Sequence, residues 1–316
     1  MFEIREENRE GLNRLLIVNN NSREYISVIP DFGANVNEIH LKKGNRLHAV
    51  LAGNQTRDNF NGSGIFNSAK MLPFPNRIAD GHYQFNGRSY QLEKNFSQEG
   101  NAIHGLIYFQ KLELIKQDVQ ETHAEVVLGL QCENLHPGFP FRFKVECLYR
   151  LDSPGEFTGT TKVINNGSQS FPFGEGWHPF FGFNKLVDQL SLQFNAQELI
   201  LVDERLIPTG RKVRYDKFNY LRPIADTLFD SCFRLAVNGH RHTSVLYDHA
   251  EDLRVELWQE TGERGYHYLQ VYIPPSRQSI ALEPMTCNVN AFNNKEGLII
   301  LEPGDTYLGQ YGVRLT

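Results

Sequence analysis

Apolar and polar residues alternate with period two along much of this chain. The run Phe141-Arg142-Phe143-Lys144-Val145-Glu146-Cys147-Leu148-Tyr149-Arg150-Leu151 keeps the alternation almost throughout, and Glu125 to Cys132 repeats it. A period of two places successive side chains on opposite faces of a strand, so both stretches predict half-buried β-strands. Tyr25 to Ile29, Phe157 to Ile164, Leu253 to Trp258, Tyr268 to Ile273 and Ser279 to Leu282 are further strand candidates, each bounded by Gly, Pro, Asn or Asp. Asn86-Gly87 between Tyr83-Gln84-Phe85 and Tyr90-Gln91-Leu92 predicts a hairpin, because a type I′ turn needs positive φ at both central residues. Asn166-Gly167 after Val163-Ile164 reads the same way. No stretch carries an apolar i, i+3, i+4, i+7 stripe over several capped turns, and short helices are expected only around 64–71 or 226–229. The pattern predicts a single all-β domain over 1–316, two packed antiparallel sheets with long loops bearing the unusual residues.

Composition narrows the possible partners. The 12% aromatic share, with 22 Phe and 13 Tyr, suits strands and apolar-faced clefts. A net charge of −5 gives no support to nucleic-acid or anionic-membrane binding, and a neutral small molecule fits better. The basic stretch Arg205 to Lys217 reads as a solvated loop. Cys132, Cys147, Cys232 and Cys287 are widely spaced without a C-x-x-C pair, so reduced thiols and no metal site are expected. The N-terminal residues are acidic where a secretory signal needs basic ones, and no run is apolar enough to span a bilayer, which predicts a cytoplasmic location.

The chemistry-bearing residues fall in five places. Gly176-Trp177-His178-Pro179-Phe180-Phe181 sets one imidazole, which titrates near neutral pH, among glycines and rings that suit the C–H faces of a sugar. Glu175 and Trp177 flank it, the first a rival base, the second a ring that stacks on a sugar or narrows the pocket. Asn76 and Arg77 follow two prolines that stiffen the approach; the guanidinium suits vicinal hydroxyls or a structural ion pair. His104-Gly105 offers a second imidazole, for the site or simply satisfied in the core. Asp230 is an acid among aromatic and small residues, or a turn cap. Glu283 ends an apolar strand, where a buried carboxylate is costly unless paired or used, and is the strongest acid–base candidate.

Asn76-Arg77-Ile78 with Gly81 and the Asn86-Gly87 hairpin, His104-Gly105, Gly176-x-His178-Pro179-Phe180-Phe181, Asp230 and Leu282-Glu283-Pro284 together resemble the aldose 1-epimerase (galactose mutarotase) family, in family order and over about residues 65 to 295. The resemblance implies a large β-supersandwich and an isomerase of carbohydrate metabolism that interconverts α and β anomers of a free aldose, galactose or glucose first. It implies that Glu283 removes the O1 proton while His178 protonates the ring oxygen, and that His104, Arg77 and Asp230 hold the sugar; Asn76 and Trp177 beside them are further candidate contacts. Such a reaction needs one group to accept a proton and one to donate it, with no metal or other cofactor. A monosaccharide is the expected partner of a monomer or homodimer. A hexose-6-phosphate 1-epimerase would need more cations around the sugar, and a sugar-binding module would not need both His178 and Glu283. A glycoside hydrolase would need two carboxyl groups across the scissile bond.

Overall fold

The computed structural model describes all residues except Ala52, Ser63 and Ser97. Strands account for 53% of the chain and helices for 4%, so the all-β expectation holds. A 13-stranded sheet runs from Phe2–Arg9 at one edge to Pro208–Arg214 at the other. A 9-stranded sheet runs from Glu113–Val119 to Arg222–Pro223. The ladders in both are antiparallel among the described residues. One apolar cluster joins them, with Ile17, Ile39 and Val271 from the larger sheet meeting Val145, Phe157 and Tyr311 from the smaller.

The period-two runs became strands. Phe143–Asp152 alternates buried and half-buried residues without a break, and it lies between His123–Cys132 and Glu156–Ile164. The Asn86-Gly87 turn has φ of 47° and 73° and joins His82–Phe85 to Arg88–Gln91, as predicted. Asn166-Gly167 does not form the second hairpin. The strand Glu156–Ile164 instead pairs with the C-terminal strand Thr306–Leu315. The turn after it is organised by Asn165, whose side-chain oxygen accepts the Gly167 N–H and whose amide donates to the carbonyls of Gln169 and Leu301.

The helix expectations also need correction. Among the described residues the short α-helices are Arg57–Phe60, capped by Thr56, and Ala291–Asn294, with single 3-10 turns at Ala79–Gly81 and Val187–Gln189. Residues 64–71 form turns and the short strand Lys70–Met71, while 226–229 is irregular. The basic stretch is not a loop either: Pro208–Arg214 is an edge strand on Ala196–Val202. Cationic side chains at such an edge discourage pairing with another chain. No helix among the described residues is long and apolar enough to cross a membrane.

Glu175 and Trp177 project into the core, away from the His178 side. Trp177 stacks on Tyr311 at 4.8 Å and packs against Phe157 and Phe181. Glu175 is fully buried, accepts from the Tyr266 hydroxyl, and faces the ammonium of Lys70 at 3.5 Å. Lys70 also donates to Thr161 and to Tyr311 of the second sheet. This carboxyl is a structural group, so the reading of Glu175 as a rival base is withdrawn. Lys70→Met should cost about 3–5 kcal/mol by stranding a buried charge, whereas Lys70→Met combined with Glu175→Leu should recover most of that loss. Urea denaturation checks this, and a double variant no better than the single one would contradict the pairing.

Candidate active site

The ladders decide which side chains meet. Glu283 is the partner of Gln270 across the strands Tyr268–Tyr272 and Ile280–Met285, and Asp230 is the partner of Tyr272 on the next strand, Asp230–Leu235. Directly opposed residues project to the same face, as do residues two apart. Glu283, Gln270, Tyr272 and Asp230 therefore share one face. On the other side of the Glu283 strand, Gly176 pairs with Met285 and Phe180 with Ala281. His178, two residues from each, joins that face. Trp177, one residue off, is turned to the core, and its predicted place against the sugar is corrected by this parity.

The resulting centre is tight. His178 Nε2 lies 3.3 Å from Glu283 Oε1, and both residues are buried. The His178 ring stacks on Phe180 at 4.9 Å and meets the His104 ring edge-on at 5.1 Å. His104 arrives from a loop: Ala102–Ile103 pairs with Arg77–Ile78, and the His104 N–H donates to the Asn76 carbonyl at 2.9 Å. Both Asn76 (φ 53°) and His104 (φ 61°) adopt the left-handed region, which turns the chain sharply and brings the two loops together.

Arg77 is buried beside them but not free. Glu99 grips it on two nitrogens, Nε at 2.5 Å and Nη2 at 3.0 Å, and Nη1 donates to the Asn76 side-chain oxygen at 2.9 Å. Asn76 thus positions Arg77 through its side chain and His104 through its backbone. Asp230 stands exposed at the mouth, accepting a 2.8 Å bond from Gln270. Beyond Phe180 and Tyr272 the cleft adjoins a cavity of about 730 Å³, bordered also by Asn67, Lys185 and Gln278.

Burial controls the protonation of this group. It pushes the Glu283 carboxyl well above the usual range, with Asp230 adding to the shift and Arg77 opposing it. It lowers His178 to about 4, helped by Arg77, and holds His104 well below its usual value, helped by His178 and Arg77. Enclosure by the cleft walls raises Asp230 as well, exposed though the residue is; Arg77 and the Gln270 bond oppose that effect and Glu99 adds to it. The His178–Glu283 contact is short enough for an ion pair, but burial disfavours both charged forms. At rest the pair is better described as a neutral imidazole and a carboxyl sharing one proton. Glu283 Oε2, His178 Nδ1 and His104 Nδ1 are buried without a partner among the described residues. Facing the cleft together, these atoms are free to bond a polar group that enters it.

The predicted residues Glu283, His178, His104, Arg77, Asn76 and Asp230 all come together here, and Trp177 does not. Sequence reading missed Gln270, Tyr272 and Glu99. The first two follow from alternation once Glu283 is known, whereas Glu99 lies in a loop with no periodic signal.

Among curated relatives, the Escherichia coli K12 protein YihR, whose function is uncharacterised, is 30% identical over 244 residues, 74% of each chain. The aldose 1-epimerase of the same strain is 27% identical over 223 residues, 69% of this chain and 60% of that one. A galactose mutarotase-like protein from Clostridium acetobutylicum superposes with a TM-score of 0.88 at 22% identity, covering 100% of this chain and 98% of that one. Galactose 1-epimerase from Lactobacillus acidophilus NCFM does so at 0.81 and 16%, with the same coverage. At such identities the likeness is one of fold. The family model for aldose 1-epimerase matches residues 15–314, and on that match the chain belongs to the aldose 1-epimerase family.

Proposed function

We propose that this cleft interconverts the α and β anomers of a free aldose, galactose or glucose first, with Glu283 and His178 as the proton-transferring pair. The observation that carries the reading is the buried 3.3 Å contact between His178 Nε2 and Glu283 Oε1, with a second polar atom on each left without a protein partner. Passing the shared proton from Glu283 to His178 makes a carboxylate and an imidazolium. The carboxylate takes the proton from O1, C1–O1 becomes a carbonyl, the C1–O5 bond breaks, and O5 receives the proton of the imidazolium. Rotation about C1–C2 offers the other aldehyde face, and the same steps in reverse close the ring. One proton enters the pair and one leaves, so its proton count is unchanged throughout, which suits a site that tolerates only a neutral pair. Arg77, His104, Asp230 and Gln270 surround the position of the sugar ring and supply hydrogen bonds to its hydroxyls. The names of relatives support the reading: the E. coli enzyme is an aldose 1-epimerase and the L. acidophilus one a galactose 1-epimerase.

Polarimetry on freshly dissolved α-D-galactose and α-D-glucose tests this. The wild type should speed the approach to equilibrium, and Glu283→Gln or His178→Asn should each lose about 10²–10⁴-fold. An unchanged rate on a panel of aldoses that nonetheless bind by calorimetry would favour a sugar-binding module. A response to phosphorylated hexoses alone would favour a hexose-6-phosphate 1-epimerase.

The pH profile should have two limbs. Below about pH 4 a second proton loads His178 and no base remains. On the alkaline side Glu283 loses the last proton and no acid remains, at a pH well above the ordinary carboxyl range. The two limbs report apparent values of the pair rather than of either residue.

Stability should move the opposite way to activity. A carboxyl whose folded-state pKa is raised costs stability above its unfolded pKa of about 4.3, and the cost grows with pH until the folded pKa is reached. Glu283→Gln removes this cost. Its melting temperature should therefore exceed that of the wild type by more at pH 8 than at pH 5, as read by scanning fluorimetry, and a difference that shrinks with pH would contradict the burial argument.

A further inference from the structure

The guanidinium in the cleft is already matched by a carboxylate. Glu99 engages Arg77 with both oxygens, at 2.5 and 3.0 Å, and Asn76 takes a third bond at 2.9 Å. Two parallel N–H···O bonds in the planar fork geometry form a strong, orientation-specific pair. The loop carrying Glu99 is itself pinned from outside the cleft. Arg205 donates to the Glu99 carbonyl at 3.0 Å, to the Gly100 carbonyl at 3.3 Å and to the Asn101 side chain at 2.9 Å, while pairing with Asp80 at 2.8 Å. The cation of the adjoining cavity follows the same rule, for Lys185 is bound to the buried carboxylate of Asp248 at 2.5 Å. Among the described residues Arg77, Arg205 and Lys185 each have their own acid, while Asp230 and Glu283 add further carboxyl groups with no Arg or Lys bonded to them.

We propose that Glu99 is a specificity-determining residue: by occupying one edge of the Arg77 fork it leaves Arg77 as a hydrogen-bond donor to hydroxyls, and so makes the cleft select uncharged aldoses over sugars bearing a carboxylate or phosphate. The proposal rests on the anomer-interconversion reading above and narrows its substrate class. An anionic sugar would have to displace Glu99 from Arg77 or sit beside it and Asp230, and like charges held together oppose binding. Rejection by a placed repulsive group is how many sites discriminate. The same pairing has a positive use, since a guanidinium fixed on two sides presents its remaining N–H bonds in one direction.

The test compares D-galactose, D-galacturonate and D-galactose 6-phosphate, following anomer exchange by proton NMR with the wild type, Glu99→Gln and Glu99→Asp. The wild type should favour galactose over both anions by at least about tenfold in kcat/KM, and Glu99→Gln should shrink that ratio by about tenfold or more. Glu99→Asp, which keeps the charge, should retain the preference even if KM rises. A wild type that prefers an anion, or a Glu99→Gln variant that loses activity equally on all three sugars, would overturn the proposal. If the wild type accelerates none of the three, the anomer-interconversion reading fails instead. Calorimetric binding of galactose and galacturonate to the wild type and Glu99→Gln then still reads charge selection, and equal wild-type affinities for the two sugars would overturn it.

Discussion

Three backbones meet at Gly176, and the cleft depends on that register. Gly176 pairs with Met71 on one side and Met285 on the other, and a side chain there would press within 2.8 Å of the Pro284 carbonyl and 2.7 Å of the Met71 methyl. Only the absence of a Cβ lets the strands close this far. The neighbouring backbone extends the clamp: Gly174 donates to Pro73, His178 to Ala69, and Ser68 to His178. Because side chains alternate, a slip of one residue would exchange the two faces, sending Trp177 into the cleft and His178 into the core. The register at one glycine therefore decides which imidazole and which carboxyl face each other.

Two buried glutamates show what that partition achieves. Glu175 and Glu283 are both raised by burial, yet Glu175 has the Lys70 ammonium at 3.5 Å and the Tyr266 hydroxyl beside it, while Glu283 has only the His178 imidazole at 3.3 Å among the described residues. On the core face the carboxyl is matched and becomes part of the joint between the sheets. On the cleft face the mismatch leaves a proton whose position is finely balanced, which is the property a reversible proton transfer needs. Identical side chains on neighbouring segments differ because their surroundings differ, and the unmatched one is a local cost to stability of the kind that functional sites retain.

That division also explains what could be read from the chain. The long strands announced themselves through alternation, and the Asn86-Gly87 turn through its need for positive φ. Asn166-Gly167 carried the same letters, but its preceding strand found a partner about 150 residues further on, and no local signal encodes so distant a choice. Glu283, His178, His104, Arg77, Asn76 and Asp230 were legible as unusual residues in unusual surroundings and through family resemblance. The face of Trp177 was not, because it lies in a strand of two residues, too short to display a period. Glu99 was invisible for a different reason: its partner Arg77 is 22 residues earlier, and only loop geometry joins them.

The groups of the site thus rest on two kinds of support. Glu283 and Gln270 lie on strands paired on both sides, with His178 clamped beside them, so their mutual geometry is set by ladders that any shift would break in several places. Arg77, Asn76, His104 and Glu99 sit on loops tied by a few specific bonds, with Arg205 reaching in from the turn before an edge strand. Rigid elements hold groups more accurately than loops do, and proton transfer needs that accuracy, whereas loops accept changes of residue without disturbing the sheets. A fold arranged this way holds the His178–Glu283 pair in place while letting the surrounding contacts vary, so under the proposed reading the charge and shape of the accepted sugar would be set by residues such as Glu99 rather than by that pair.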